Sequence, residues 1–216
     1  MIIAVDGPAA SGKGTLAAGL ARHYGLPHLD TGLLYRAVGL AVAGLEDGPG
    51  FEAAAIEAAR TIDTKALDPE ILSTGEVGQL ASKVAVVGEV RAALFDFQRA
   101  FATQPGGAVL DGRDIGTVIA PDADVKLFIQ ADSKARMERR ARQFEMKGLP
   151  VDRYALYHQI EQRDARDMAN PNGGFYPAPD AHLLDTTLLD IEAALRAAVA
   201  IVDGVMAEKS RSANLV

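Results

Sequence analysis

Three features that would define whole classes of protein are missing from this sequence of 216 residues. It contains no cysteine, which excludes a disulfide framework and thiolate metal sites and is typical of a reducing compartment. It has no run approaching the roughly 18 uninterrupted apolar residues of a membrane-spanning helix, although 49% of its residues are hydrophobic. It does not open with a basic segment, an apolar stretch and a cleavage site. We therefore expect a soluble, cytoplasmic protein whose true start is position 1.

Positive charge is also scarce, with 22 lysine and arginine residues against 29 aspartate and glutamate residues and a net charge of −7. Binding to a nucleic-acid backbone relies on basic patches, so we expect no nucleic-acid partner. The arginines are grouped in the stretches DGRD, ARMERRAR and QRDARD, which favours a small anionic ligand. The length suits one buried core, and we expect a single domain over residues 1–216 that is a monomer, because no coiled-coil repeat is visible.

Short apolar runs alternate with longer amphipathic stretches along most of the chain. The runs predicted to be strands are IIAV, PHLDTG, GGAVLDG, ADVKLFIQ and AHLLDTT. This alternation predicts an α/β fold of three layers, in which a central parallel sheet of about five strands is flanked by helices. Residues 46–75 indicate turns around one short alanine-rich helix. Asp132 or Ser133 is the expected N-cap of a charged helix, and residues 210–216 are expected to fray.

The stretch GPAASGKGT follows the first predicted strand and precedes a helix. It fits the pattern G-x-x-x-x-G-K, in which glycines allow successive backbone N–H groups to point at phosphate oxygens, as the positive end of the helix does. The residues assigned to ATP are Gly7, Pro8, Ala9, Ala10, Ser11, Gly12, Lys13, Gly14 and Thr15. Lys13 is expected to bridge the outer phosphates. The alternative is a glycine-rich turn with an exposed lysine.

The position after Lys13 departs from the general pattern, which has serine or threonine there. This chain has Gly14, and the hydroxyl follows at Thr15. The variant GKGT resembles the loop of nucleoside monophosphate kinases and moves the expected contact with a phosphate or Mg²⁺ to Thr15. The loop therefore predicts a nucleoside triphosphate ligand, and other motifs must decide what receives the phosphoryl group.

Four further stretches occur in a definite order: LDTGLLYRA at 29–37, EVGQLASKVAVVGEVRAALFDFQRAF at 76–101, LDGRDIGTVIAPDADVKLFI at 110–129 and QRDARDM at 162–168. With the glycine loop they resemble bacterial cytidylate kinases, which are P-loop nucleoside monophosphate kinases, and the resemblance covers most of the chain. It implies ATP-dependent phosphorylation of CMP and dCMP to the diphosphates, with ATP as co-substrate and Mg²⁺ as cofactor. Two alternatives stay open: a P-loop kinase for another acceptor such as UMP, and a nucleotide-binding regulatory module without catalysis.

Ser82, Arg91 and Asp114 carry the chemistry that a cytosine pocket requires. Cytosine offers an amino donor at N4 and acceptors at N3 and O2, so a specific pocket needs a carboxylate or hydroxyl acceptor beside an arginine donor. The resemblance implies that these three residues contact the base. Taken singly, they are equally well a helix-surface serine, a solvated arginine and a strand-end aspartate that caps the next turn.

Arg36 and Arg113 are candidates for the acceptor phosphate, because a guanidinium matches phosphate geometry and both follow predicted strand ends. The alternative for Arg113 is a structural ion pair with Asp111 or Asp114. The resemblance places Thr31 and Tyr35 in the same monophosphate site, although Tyr35 also suits core packing.

Arg163 and Asp167 are four residues apart and share one face of a predicted helix, which is the usual spacing of a surface salt bridge. The resemblance instead implies that they hold the ribose of the acceptor. Lys13, Arg113 and Arg163 are the residues to which we assign phosphoryl transfer. Asn170 departs from the family pattern, which usually has an arginine at this point, so a phosphate-facing cation is missing or another arginine replaces it.

A monophosphate-binding lobe and a mobile lid are expected from the resemblance. Residues of about 36–100 form a monophosphate-binding helical lobe, and 46–75 look too short for the β-rich insert of many members, so the lobe is reduced. Residues of about 132–165 form a short lid, with Arg136, Arg139, Arg140 and Arg142 as candidates to reach the transferring phosphoryl group. An arginine-rich helix is alternatively a solvated face on which only one or two arginines act.

Overall fold

The computed structural model of the chain describes residues 1–45, 48–64, 66–72, 74–170 and 175–213. Five strands of this part form one parallel sheet in the order β2-β3-β1-β4-β5. The strands are β1 (Ile2–Asp6), β2 (His28–Asp30), β3 (Ala108–Gly112), β4 (Val125–Gln130) and β5 (His182–Asp185). The predicted α/β fold with a parallel sheet of about five strands is confirmed.

Nine α-helices and one π-helical turn surround the sheet in the described part of the chain. The helices are α1 (Lys13–Tyr24), α2 (Thr31–Ala41), α3 (Phe51–Arg60), α4 (Pro69–Leu72), α5 (Gly75–Val84), α6 (Gly88–Ala102), α7 (Ser133–Met146), α8 (Arg153–Met168) and α9 (Ile191–Ala213). The π-helical turn spans Ile115–Ile119, between β3 and β4. No helix of the described residues is long and apolar enough to cross a membrane.

Apolar residues on both faces of the sheet produce the three layers. On one face the strands pack against α1 and α9 through residues such as Leu20 and Ala198. On the other face they pack against α6 and the π-helical turn through residues such as Ala102 and Ile119. A sheet that buries both faces requires strands that are nearly continuously apolar, and the burial of β3 along its whole length fits this requirement.

Two helical regions outside these layers have apolar clusters of their own. Helices α2 and α3 bury residues such as Val38 and Ala55 against Leu94 of α6, which also packs on the sheet, and these residues lie within the predicted lobe of 36–100. Helices α7 and α8 bury Met137 and Ile160, within the predicted lid of 132–165. The functional separation of these regions stays a prediction.

The structure corrects several predicted boundaries. Helix α2 begins at Thr31, inside the predicted strand PHLDTG, because the Asp30 carboxylate caps it by accepting from Gly32 N at 2.9 Å. Helix α4 adds a second helix to the region of 46–75, whose predicted turns at 46–47 and 73 lie outside the described residues. Of the two candidates, Asp132 is the N-cap of α7, since its side chain accepts from Ala135 N.

The expected fraying of residues 210–216 is wrong for 210–213, which continue α9. Ser210 and Ser212 donate to the carbonyls four residues earlier, and Lys209 pairs with Asp124 at 3.1 Å. These contacts stabilise the last turns of the helix and link them to the residue just before β4. Residues 214–216 lie outside the described residues.

Candidate active site

The carboxyl ends of β1, β2 and β3 open into a cleft, as expected for a ligand site in a parallel sheet. The glycine loop after β1 forms its floor, α2 and α5 form one wall, and α7 and α8 form the other. The residues assigned to substrate from sequence that line the cleft are Lys13, Thr31, Tyr35, Arg36, Ser82, Arg91, Arg113, Asp114, Arg163 and Asp167, together with Ala9, Ala10 and Arg140.

The glycine loop is shaped by backbone conformations that favour glycine. Gly12 has a φ of 93° and Ala10 a φ of 60°. A Cβ atom at Gly7 would lie 2.1 Å from the carbonyl oxygen of Ile129, so only glycine allows the loop to pass β4 this closely. Gly12 occupies the N-cap of α1 without a side chain, which leaves the positive end of that helix accessible to an anion.

Lys13 begins α1 and lies half-buried among charged groups. Burial and the nearby charge of Arg113 lower its pKa to about 8. Asp30 and Asp111 are opposite each other in the register of β2 and β3, and burial together with the Asp111 charge raises the pKa of Asp30. Thr15 follows in the first turn of α1 and is exposed. These groups place a lysine, two carboxylates and a hydroxyl at the loop.

The three residues predicted to read a base all line the cleft but do not form one bonded group. Arg91 of α6 forms an ion pair with Asp114, and its guanidinium lies 5.8 Å from the ring centroid of Tyr35. Burial raises the pKa of Asp114, while the charges of Arg91 and Arg113 oppose this rise. Ser82 of α5 is buried and donates to Asp167 Oδ1 at 2.9 Å. The structure therefore pairs Arg91 with Asp114 and joins Ser82 to the neighbouring Asp167.

A cluster of guanidinium groups lines the cleft. Arg113 Nε donates to Asp167 Oδ2 at 2.9 Å, and Arg163 Nε lies 3.9 Å from the same oxygen. Arg113 thus pairs with Asp167, and not with Asp111 or Asp114 as the alternative expected. Burial opposes ionisation of Asp167, but the charges of Arg113 and Arg163 and the hydrogen bond from Ser82 lower its pKa.

Cationic charge in this cluster exceeds what its carboxylate can balance. Burial and the charge of Arg113 lower the pKa of Arg163 to about 9, and burial and the charge of Arg140 lower that of Arg36 to about 10. Arg163 Nε is buried and has no hydrogen-bond partner among the described residues. Arg36 donates to the carbonyl oxygens of two residues near α4, at 2.8 and 3.1 Å. Such a group of buried cations suits a bound anion.

Thr31 and Tyr35 lie on α2 at the edge of the cleft. Thr31 Oγ1 donates to the carbonyl oxygen of Asp111 at 2.8 Å, which fixes the start of α2 to the end of β3. Tyr35 lines the cleft and also packs against the apolar cluster of the helical lobe. Both interpretations of Tyr35 therefore describe part of its surroundings.

The four arginines of α7 have different surroundings. Arg136 is buried, pairs with Asp164 at 2.6 Å and donates to the carbonyl oxygen of Ala9. Arg139 donates to the carbonyl oxygen of Ser11 at 3.0 Å and to Thr186. Arg142 is exposed, as expected of a solvated face. Arg140 lies against Phe144 and lines the cleft, so the structure brings this arginine to the cluster.

Sequence reasoning missed several residues that organise the site. Asp164 holds Arg136, and buried Thr186 donates to the carbonyl oxygen of Ser11 in the glycine loop at 3.0 Å. Neither belongs to a local pattern that could have revealed its partner. Asn170 Nδ2 donates to the carbonyl oxygen of Ala85 at 2.9 Å, so this position ties α8 to the end of α5. Among the described residues, no group of three or more histidines, cysteines, aspartates and glutamates is arranged to hold a metal ion.

A parallel sheet, a glycine loop at the start of a helix and a cationic cleft beside it define an enzyme of the P-loop phosphotransferase class. The family model described as cytidylate kinase matches residues 3–203. The chain therefore belongs to the cytidylate kinase family, as the sequence motifs predicted.

Individual relatives agree with the family model over nearly the whole chain. The chain is 58% identical over 206 residues to the cytidylate kinase of Xanthobacter autotrophicus, covering 94% of this chain and 97% of that protein. It is 51% identical to the cytidylate kinase of Rhodopseudomonas palustris strain BisA53, covering 98% and 100%. The crystal structure of an uncharacterized protein from Eubacterium ventriosum has a TM-score of 0.57 at 18% identity, covering 94% and 98%. At that identity the likeness shows the fold alone.

Proposed function

We propose that this protein transfers the γ-phosphoryl group of ATP to the phosphate of CMP or dCMP, giving ADP and CDP or dCDP. The observation that carries the proposal is the position of the Arg91–Asp114 pair. This pair lines the same cleft as the glycine loop and the guanidinium cluster. Relatives named cytidylate kinase, at 50% identity and above, support the same acceptor.

The glycine loop of residues 7–15 holds the ATP phosphates in this proposal. Lys13 and the backbone N–H groups of the loop bind the outer phosphate oxygens. Mg²⁺ keeps waters and substrate phosphates as most of its ligands, so it needs few protein groups. The carboxylates of Asp30 and Asp111 lie close enough to Lys13 to act on its pKa and fit this need, and Thr15 is the hydroxyl in the first turn of α1. When bound, Mg²⁺ neutralises charge on the phosphate oxygens.

The opposite side of the cleft holds the acceptor. Asp114 accepts from the amino group of cytosine, Arg91 donates to its ring acceptors, and Ser82 borders the base. Asp167 binds the ribose. The acceptor phosphate is held by Arg36, Arg113 and Arg163, with Thr31 and Tyr35 at the edge of its site.

Transfer then requires alignment and charge neutralisation more than proton transfer. An oxygen of the acceptor phosphate forms the new bond to the γ-phosphorus while the bond to the β,γ-bridging oxygen breaks. Because that acceptor oxygen is already ionised at neutral pH, no general base is needed. Charge on the equatorial oxygens of a loose transition state is neutralised by Lys13, Arg113, Arg163 and, from the lid, Arg140. Lid closure excludes water, which is a competing acceptor.

The regional roles are part of the same proposal. Residues of about 36–100 act as the monophosphate-binding lobe, and residues of about 132–165 act as the lid. The protein works as a cytoplasmic monomer. The Asn170 position acts in packing rather than in phosphate binding, and Arg140 supplies the cation that the family pattern has at that point.

The deciding experiment follows ADP production from ATP and Mg²⁺ with CMP, dCMP, UMP, AMP and GMP as acceptors. The proposal expects turnover with the two cytidine nucleotides and little with the others. The preference for CMP over UMP should disappear in the variant Asp114→Asn. Turnover that favours another acceptor would overturn the base assignment, and no turnover with any acceptor would overturn the kinase itself. Lys13→Ala should reduce kcat by about a thousandfold while leaving the melting temperature nearly unchanged.

A further inference from the structure

The π-helical turn at Ile115–Ile119 begins directly after Asp114. Its hydrogen bonds span five residues, as in a π-helix: Ile119 N donates to the Asp114 carbonyl at 3.2 Å and Ala120 N to the Ile115 carbonyl at 2.7 Å. The N–H groups at its start have no acceptor within the turn and need one elsewhere. Turns of this type are rare and often occur at functional sites.

Asp6 supplies both acceptors from outside the turn. Its Oδ1 accepts from Ile115 N and its Oδ2 from Gly116 N, each at 2.8 Å. Asp6 is buried and is the last residue of β1, immediately before Gly7 of the glycine loop. Burial raises its pKa to about 7, although the two backbone hydrogen bonds oppose the rise. One side chain thus connects the loop that holds the donor to the segment that carries Asp114.

Asp114 itself occupies the N-cap position of the turn. An aspartate at an N-cap usually turns its carboxylate back to accept from the first N–H groups of its own helix. The Asp114 carboxylate makes no such capping bond among the described residues and is paired with Arg91 at the cleft. Two carboxylates therefore divide two tasks, since Asp6 caps the turn and Asp114 faces the acceptor side.

We propose that Asp6 is a positioning residue for acceptor recognition, which caps the π-helical turn from β1 and so keeps the Asp114 carboxylate directed at the acceptor base. This inference rests on the proposed reading of cytosine by Asp114. Without a carboxylate at position 6, the N–H groups of Ile115 and Gly116 compete with Arg91 and the base for Asp114. Acceptor discrimination is then lost while the ATP site is retained.

The test compares Asp6→Asn, Asp114→Asn and the double variant by the ratio of kcat/KM for CMP to that for UMP. An asparagine can accept from only one of the two N–H groups, so Asp6→Asn should lower the ratio about tenfold. The KM for ATP should change less than twofold. The double variant should have the same ratio as Asp114→Asn alone, because Asp6 acts through Asp114. Equal losses for CMP and UMP, or additive losses in the double variant, would overturn the proposal.

The control is Asp124→Asn. The Asp124 carboxylate accepts from Ile2 N at 2.9 Å at the other end of β1, so this variant should leave the ratio unchanged. If Asp114→Asn has no effect on the ratio, the reading of the base fails. If Asp114→Asn lowers the ratio and Asp6→Asn does not, the role of Asp6 alone fails.

A second variant keeps the test decisive if Asp6→Asn does not fold, as judged by circular dichroism. Asp6→Glu retains the charge, but its longer side chain cannot keep both oxygens at the positions from which Asp6 accepts from Ile115 N and Gly116 N. It should lower the ratio of CMP to UMP several-fold, and an unchanged ratio in the folded variant would overturn the proposal.

Discussion

Asp6 is expected to affect both acceptor recognition, through its two hydrogen bonds, and folding stability, through its raised pKa. Burial raises its pKa from 3.8 to about 7, so the folded protein binds a proton there at pH values where the unfolded chain does not. Between about pH 4 and 7 the folded state therefore holds more protons. Because stability falls with rising pH wherever the folded state binds more protons, this group contributes less stability as the pH rises through that window.

The variant Asp6→Asn has no ionisable group at this position and lacks that dependence. We predict that the unfolding free energy of the wild type falls relative to that of Asp6→Asn as the pH rises from 5 to 8. Urea unfolding followed by circular dichroism at several pH values measures both free energies. A wild type that gains stability relative to the variant with rising pH would contradict the raised pKa, and Asp124→Asn provides the control for an aspartate that also accepts a backbone N–H.

At the scale of elements, α7 shows how one helix distributes four like charges. Arg136 and Arg140 are four residues apart and lie toward α8 and the cleft. Arg139 reaches the glycine loop, and Arg142 faces solvent. The helix is therefore tied to the glycine loop by Arg136 and Arg139 and presents Arg140 to the cleft.

We predict that Arg140→Ala lowers kcat by about a hundredfold with little change in melting temperature, because Arg140 lines the cleft. Arg142→Ala is the matched control on the same helix and should retain activity within about twofold. Arg136→Ala should lower the melting temperature, since it leaves the buried Asp164 without its arginine. Steady-state kinetics and thermal unfolding of the three variants measure these effects. Equal kinetic losses in Arg140→Ala and Arg142→Ala would contradict the assignment.

Helices α5 and α8 carry Ser82 and Asp167, and Asn170 holds the two helices together at one end. We predict that Asn170→Ala raises the KM for CMP several-fold, leaves the KM for ATP unchanged and lowers the unfolding free energy by about 1 kcal/mol. Asn170→Asp has the same shape but no donor for Ala85, so it should behave like the alanine variant. Wild-type kinetics in Asn170→Asp would show that the hydrogen bond to Ala85 does not contribute to CMP binding.

Features of the fold and the site were predictable from sequence when the residues that form them are close together along the chain. The glycine loop was predictable because its seven-residue motif, residues 7–13, directly follows β1 and leads directly into α1. The Arg91–Asp114 pair needed the order of several motifs, since 23 residues separate its members. The Asp6 cap was not predictable, because a π-helical turn has no periodicity that a sequence shows. The two N–H donors, Ile115 and Gly116, also lie 109 and 110 residues from Asp6 along the chain.

At the scale of the whole molecule, three helices and the end of one strand bring arginines together in one cleft of a protein whose net charge is −7. Arg36 comes from α2, Arg113 from the end of β3, Arg140 from α7 and Arg163 from α8. Their mutual repulsion and burial destabilise the protein without its substrate, and Asp167 is the carboxylate that pairs directly with two of them. We therefore expect the cluster to cost stability in the absence of a bound anion, as a site shaped for ligand binding often does.

Arg163→Met tests this relation, because methionine fills a similar volume without charge. We predict that the variant melts about 2 to 4 °C higher than the wild type without ligand, which corresponds to about 1 kcal/mol in a chain of this size, and that it loses activity. CMP at a hundredfold excess over its Kd should stabilise the wild type by about 2.7 kcal/mol and should stabilise Arg163→Met much less. Circular dichroism is the suitable probe, since the chain has no tryptophan. Arg142→Met is the control, and a lower melting temperature for Arg163→Met without CMP would show that the arginine cluster stabilises the fold rather than straining it.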